Sequence, residues 1–146
     1  MEIFENLSAS SRLGPGELDS YSRAVREVTE KLEPAVVSVG AASGRSGGSG
    51  VILGSGDGTA TAVTNSHVVR GIQRAARGPG NMEVTLSDGS SVAAEVLGED
   101  PPSDLAAVRF QAKEEPAVAT LGEAGNLVVG QLVVAIGNPL GFQRSV

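Results

Sequence analysis

A chain of 146 residues carries a formal charge of −6 and a pI near 4.7. That balance argues against a nucleic-acid binder, which needs a basic face, and against adhesion to an acidic membrane surface. With no cysteine and one histidine, the chain has no disulfide framework, and a transition-metal site would rest on carboxylates alone; neither a metal nor a cofactor is expected.

The N-terminus, Met1-Glu2-Ile3-Phe4-Glu5-Asn6, is acidic and lacks an apolar run of signal-peptide length. No stretch reaches the roughly 18 apolar residues that span a bilayer. As written, the sequence predicts a soluble chain without an export signal. Residues 1–17 are polar and rich in Ser, Gly and Pro, the composition of a disordered tail. From Leu18 the spacing becomes helical: Leu18, Tyr21, Val25, Val28 and Leu32 share one face. Asp19 or Ser20 can cap this helix, and Glu27 and Lys31 stand four apart as an ion pair. Pro34 ends it by restricting Glu33 and offering no N–H. The predicted helix covers 18–33 and is expected to pack across the outside of a β-barrel.

After Pro34 the period drops to two. Nineteen valines against three phenylalanines and one tyrosine give a core of β-branched aliphatics, which favours strands. Candidate strands are Ala35–Ala41, Gly50–Leu53, Thr59–Thr64, Glu83–Leu86, Ser91–Leu97, Leu105–Phe110 and Gln131–Ile136. Ser87-Asp88-Gly89-Ser90 predicts a hairpin, since Asp-Gly supplies the positive φ angles of a type I′ turn. Arg70–Asn81, with three glycines and a proline, reads as a long loop. Six strands before residue 111 suit a small closed barrel over 34–112, because closure removes exposed edges. The seventh has too few partners to close anything, so 113–146 reads as the opening of a second barrel.

His67 falls in Thr64-Asn65-Ser66-His67-Val68-Val69, at the predicted end of an alternating strand, where loops build sites. On residue type alone it is either a structural or solvated histidine or a general base. A base presents one ring nitrogen to its target and gives the other to an acceptor that fixes the tautomer. Asp104 suits that acceptor: Pro101-Pro102 stiffens its approach and the apolar run Leu105–Val108 anchors it beside the core. It reads equally as a turn or capping acid. Histidine followed by aspartate is two-thirds of a serine-protease triad.

Several segments carry a resemblance in register from Leu18 onward. Pro34-Ala35-Val36-Val37-Ser38-Val39, Gly48-Ser49-Gly50-Val51-Ile52-Leu53, Thr64-Asn65-Ser66-His67-Val68-Val69, Ser103-Asp104-Leu105-Ala106 and Gly130–Gly141 together resemble the trypsin-like domain of HtrA/Deg serine proteases. The resemblance implies an all-β, chymotrypsin-like fold of two Greek-key barrels, the first complete here and the second only begun. It implies His67 as general base and Asp104 as its orienting partner. It further implies an ATP-independent endopeptidase acting on unfolded or damaged proteins, commonly a homotrimer with C-terminal PDZ domains and mostly extracytoplasmic or periplasmic.

One departure is large. The family draws its nucleophile and oxyanion-hole amides from a Gly-Asn-Ser-Gly-Gly segment well after Asn-Pro-Leu-Gly, and no such segment follows Asn138-Pro139-Leu140-Gly141 before Val146. Nor is a PDZ domain expected within these 146 residues. Ser46, in Gly44-Arg45-Ser46-Gly47-Gly48, fits G-x-S-x-G but precedes His67, an order found in none of the familiar triads. Ser145 has no flanking glycines. Gly48-Ser49-Gly50 leads into a strand, where a phosphate loop needs a helix N-terminus. The sequence therefore predicts the N-terminal portion of an HtrA-like protease with base and acid but no nucleophilic serine, inactive by itself. The competing reading is a non-catalytic β-barrel module that binds partners or assembles with relatives. Leu127–Ile136 would carry an uncovered apolar face, which favours self-association.

Overall fold

A computed structural model describes residues 19–42, 44, 47–76 and 82–138. The expected tail (1–17), Leu18, Ser46, Ser145 and residues 139–146 lie outside that description.

The chain enters through α1, Ser20–Leu32, capped by the Asp19 carboxylate, which accepts from the Ser22 N–H at 2.7 Å. The surface ion pair on this helix joins Arg26 to Glu30 at 2.6 Å rather than Glu27 to Lys31. No residue of α1 is buried; Leu32, at its end, lines an apolar cleft with Val36, Val51 and Val63 of the barrel.

Six antiparallel strands come next: β1 (Val36–Ala41), β2 (Gly47–Gly56), β3 (Thr59–Asn65), β4 (Met82–Thr85), β5 (Ser91–Asp100) and β6 (Leu105–Gln111). They close into a barrel in the order β1-β2-β3-β6-β5-β4. Hairpins join β1 to β2, β2 to β3, β4 to β5 and β5 to β6. The crossover from β3 to β4 brings the chain back beside β1, which is the Greek-key closure. Alternate side chains point inward: Val37 and Val39 from β1, Ile52 from β2, Ala60 and Ala62 from β3, Val84 from β4, and Val108 and Phe110 from β6 are all at most 2% exposed. At about 25 cal/mol per Å² of buried apolar surface, this sealed aliphatic interior is the main stabilising term. The trypsin-like barrel expected from the sequence is present.

Two differences from the sequence reading bear on the site. The crossover is not simply a loop. Ser66–Ala76 form a second helix, α2, whose Val68, Val69 and Ile72 are buried in the barrel's core cluster. Their spacing puts them on one helical face. Gly48 of β2 makes room for α2: a β-carbon there would lie 2.5 Å from Cγ2 of Val68.

Residues Gln131–Ile136, expected as a strand, are irregular, and Gly137 alone makes a bridge. The apolar residues of this region have no strand to pair with among the described residues. Leu127, Val128, Val129, Leu132 and Val133 are all more than half exposed. The stretch after β6 is tied to β2 where Ala119 N–H donates to the Ile52 carbonyl at 2.9 Å and Asn138 N–H donates to Ser49 Oγ at 2.7 Å.

Candidate active site

The register of β3 and β6 brings the two sequence-predicted residues together. These strands pair continuously from Thr59↔Gln111 to Asn65↔Leu105. The residues just beyond the last pair, Ser66 and Asp104, therefore face each other, and Ser66 N–H donates to the Asp104 carbonyl at 3.1 Å. His67 stands in the first turn of α2, two residues past the end of β3 at Asn65, rather than on a strand end as the sequence suggested.

Asp104 adopts φ 55°, ψ 38°, a left-handed conformation that aspartate tolerates better than most residues. A single 3-10 turn, Pro101–Ser103, delivers it, with Asp104 N–H donating to the Pro101 carbonyl at 3.1 Å. In this pose one carboxylate serves two purposes. Oδ1 accepts the His67 main-chain N–H at 2.9 Å, satisfying one of the free amides at the start of α2. Oδ2 lies 2.7 Å from Nδ1 of the His67 ring. The capping and the orienting readings of Asp104 both describe its geometry. The His67 N–H holds the Asp104 carboxyl below its ordinary range, aided by the ring hydrogen bond, the histidine charge and the Asn65 amide; partial desolvation opposes them.

Four further residues, Asn65, Ser66, Glu99 and Arg70, not singled out from the sequence, complete the surroundings. Asn65 Nδ2 donates to Asp104 at both its carbonyl (3.2 Å) and Oδ2 (3.1 Å). Ser66 is only 1% exposed, and its hydroxyl donates to Glu99 Oε2 at 2.8 Å. Arg70 Nε sits 3.5 Å from the same oxygen, so β5 holds the first two turns of α2. A signal for this helix existed: Asn65-Ser66 are good N-terminal capping types, and Val68, Val69 and Ile72 succeed them at helical spacing.

The His67 side chain is 70% exposed. With Nδ1–H given to Asp104, a neutral ring presents the lone pair of Nε2, which can accept a proton. Among the described residues no serine hydroxyl bonds to it: Ser66 donates to Glu99, Ser103 donates to Asp100, and Ser49 accepts from Asn138. An apolar cleft of about 420 Å³ borders Asn65, lined by Leu32, Val36, Val51, Val63, Val134 and Ile136 among others. Among the described residues no group of three or more His, Cys, Asp or Glu could hold a metal ion. No helix described is long and apolar enough to cross a membrane.

The family model described as "Trypsin-like peptidase domain" matches residues 48–146, from the glycine under α2 through both His67 and Asp104. The chain belongs to the trypsin-like peptidases, of the HtrA type. It is 32% identical over 143 residues to the serine protease Do-like HtrA of Bacillus subtilis, covering 85% of this chain and 30% of that protein. It is 42% identical over 84 residues to a probable periplasmic serine endoprotease, DegP-like, of Chlamydia muridarum, covering 58% of this chain and 15% of that protein. The structure resembles that of Deg5 with a TM-score of 0.73 at 29% identity, over 88% of this chain and 62% of the other. This trypsin-like chain thus spans less than a third of the length of those two curated relatives.

Proposed function

We propose that this trypsin-like chain supplies the proton-handling half of a serine endopeptidase centre. His67 acts as general base and Asp104 holds its tautomer and stabilises the imidazolium. The observation that carries this reading is the Nδ1 to Oδ2 contact of 2.7 Å, which leaves Nε2 to face a nucleophile. The reading is supported by the likeness of this contact to the base-and-acid pairing of serine proteases. The substrate class is unfolded polypeptide, in keeping with the protease relatives. Residues 1–146 alone are inactive in this reading, because none of the described serines is placed to give its proton to Nε2. The N-terminal helix and the exposed apolar residues 127–133 are where an assembly, such as a homotrimer, would find free surface.

The experiment joins the segment that comes after Gly141 in the Bacillus subtilis relative onto this chain and measures casein hydrolysis and fluorophosphonate labelling. The 146-residue chain is expected to show neither. The chimera is expected to show both, and His67→Ala is expected to abolish both. Labelling of the unextended chain, or an active chimera carrying His67→Ala, would refute the proposal. A folded but inert chimera would favour a non-catalytic barrel module.

A further inference from the structure

We infer that Asn65 is a positioning residue that locks the Asp104 carboxylate to the barrel and thereby sets the tautomer of His67. The inference rests on the reading of His67 as a base. Asn65 is the last residue of β3 and pairs with Leu105, so its side chain stands next to Asp104 by register. Its amide nitrogen lies 3.2 Å from the Asp104 carbonyl and 3.1 Å from Oδ2. Both oxygens act only as acceptors when the carboxyl is ionised, so the nitrogen end of the amide must face them.

The importance of this clamp comes from what else holds the carboxylate. Its other contacts both come from His67: the main-chain N–H on Oδ1 at 2.9 Å and the ring Nδ1 on Oδ2 at 2.7 Å. A carboxylate held only by the histidine could turn together with it. The Asn65 amide is the one side-chain donor among the described residues that ties Oδ2 to a barrel strand. By bridging the carbonyl and the carboxylate of the same residue, it also fixes the left-handed backbone of Asp104 relative to its own side chain. Ring orientation is then referenced to β3 rather than to α2 alone, the kind of support that keeps a reacting geometry within a few tenths of an ångström.

The sequence contains one histidine, so a 15N-labelled chain gives one pair of imidazole nitrogen signals. At about pH 9, above the ordinary imidazole range, the unaltered chain is expected to show Nδ1 protonated and Nε2 bare. In Asn65→Leu and Asn65→Asp, which keep the size but remove the donor, the Nδ1–H form is expected to give way to a mixture with the Nε2–H form. The barrel amide spectrum should be retained, a pattern that general loss of structure does not produce. A folded variant that keeps the pure Nδ1–H form overturns the role of Asn65 and leaves the base reading intact. A mixed tautomer already present in the unaltered chain refutes the base reading itself. Hydrogen exchange of the Asn65 side-chain amide in the unaltered chain needs no variant to fold. Slowed exchange is expected, and exchange at the rate of a free amide overturns the inference.

Discussion

Replacing Gly48 by alanine tests whether the packing of α2 on β2 sets the position of His67. The added methyl would lie 2.5 Å from Cγ2 and 3.2 Å from Cγ1 of Val68. Carbon atoms rest at about 3.5–4.0 Å, so a gap of about 1 Å has to open. Val68 cannot simply swing aside, because a β-branched side chain in a helix is held in one dominant rotamer. Overpacking of this kind costs about 1–3 kcal/mol. Alanine recovers about 0.5–1 kcal/mol of glycine's conformational entropy in a strand. The clash wins, and a net loss of about 1–2 kcal/mol is expected in urea melts followed by circular dichroism.

Val68→Ala alone removes two buried methyl groups, worth about 1.6 kcal/mol at about 0.8 kcal/mol per group. In the double variant the clash is gone, so the two losses should not add. A coupling of about 2 kcal/mol is expected. The imidazole signals of Gly48→Ala should shift with the displaced helix and return in the double variant. Additive losses within about 0.5 kcal/mol, or an unchanged imidazole in a destabilised Gly48→Ala, would show that α2 is not seated through this contact.

Acid should weaken the fold through Asp104. Its folded-state carboxyl titrates below its ordinary value, so its stabilising contribution is complete above the unfolded value of about 3.9 and is lost as pH falls through the folded one. Asp104→Asn lacks this group, and its urea midpoint should fall less steeply below about pH 4 than that of the unaltered chain; parallel curves would contradict the assignment. Leu132→Asp with Val133→Asp places charge on residues 51% and 75% exposed. Sedimentation should show reduced self-association, with stability changed by at most about 0.5 kcal/mol; a large drop in the melt would mean these side chains are covered in solution.

The barrel was legible because alternation and turn chemistry point to it together. The details diverge where local signals compete. Two Asp-Gly pairs occur in hairpins, and the type I′ turn forms at the other one. Asp57 and Gly58 both have positive φ, between the paired residues Gly56 and Thr59. At Asp88-Gly89 only Gly89 is positive, and Gly89 N–H donates to the Leu86 carbonyl at 3.0 Å. The Asp88 carboxylate instead accepts from Ser90, at its main-chain N–H (2.8 Å) and its hydroxyl (2.6 Å), a side-chain bond that competes with the tighter turn. Helix α2 was obscured by Gly71 and the glycines after it, although Val68, Val69 and Ile72 carry its apolar face. The pairing of His67 with Asp104 was legible from order and setting, whereas Asn65, Ser66 and Glu99 depend on register, which alternation alone does not number.

Glu99 shows how register and site are connected. Val92, Ala94 and Val96 of β5 lean on the core, and strict alternation would continue inward at Gly98 and Asp100, leaving Glu99 facing out. The pairing of β5 with β6 slips between Val96 and Gly98, which inserts one residue and reverses the alternation beyond it. Glu99 then stands opposite Ala106, which is 3% exposed, and opposed residues share a face. Only on that face can its carboxylate meet the buried Ser66 hydroxyl at the start of α2. Two carboxylates thus hold the first turn of the helix from neighbouring strands: Asp104 where β6 begins, and Glu99 beyond the bulge in β5. A one-residue shift in either strand would turn its carboxylate away from α2, and the position of the imidazole depends on both.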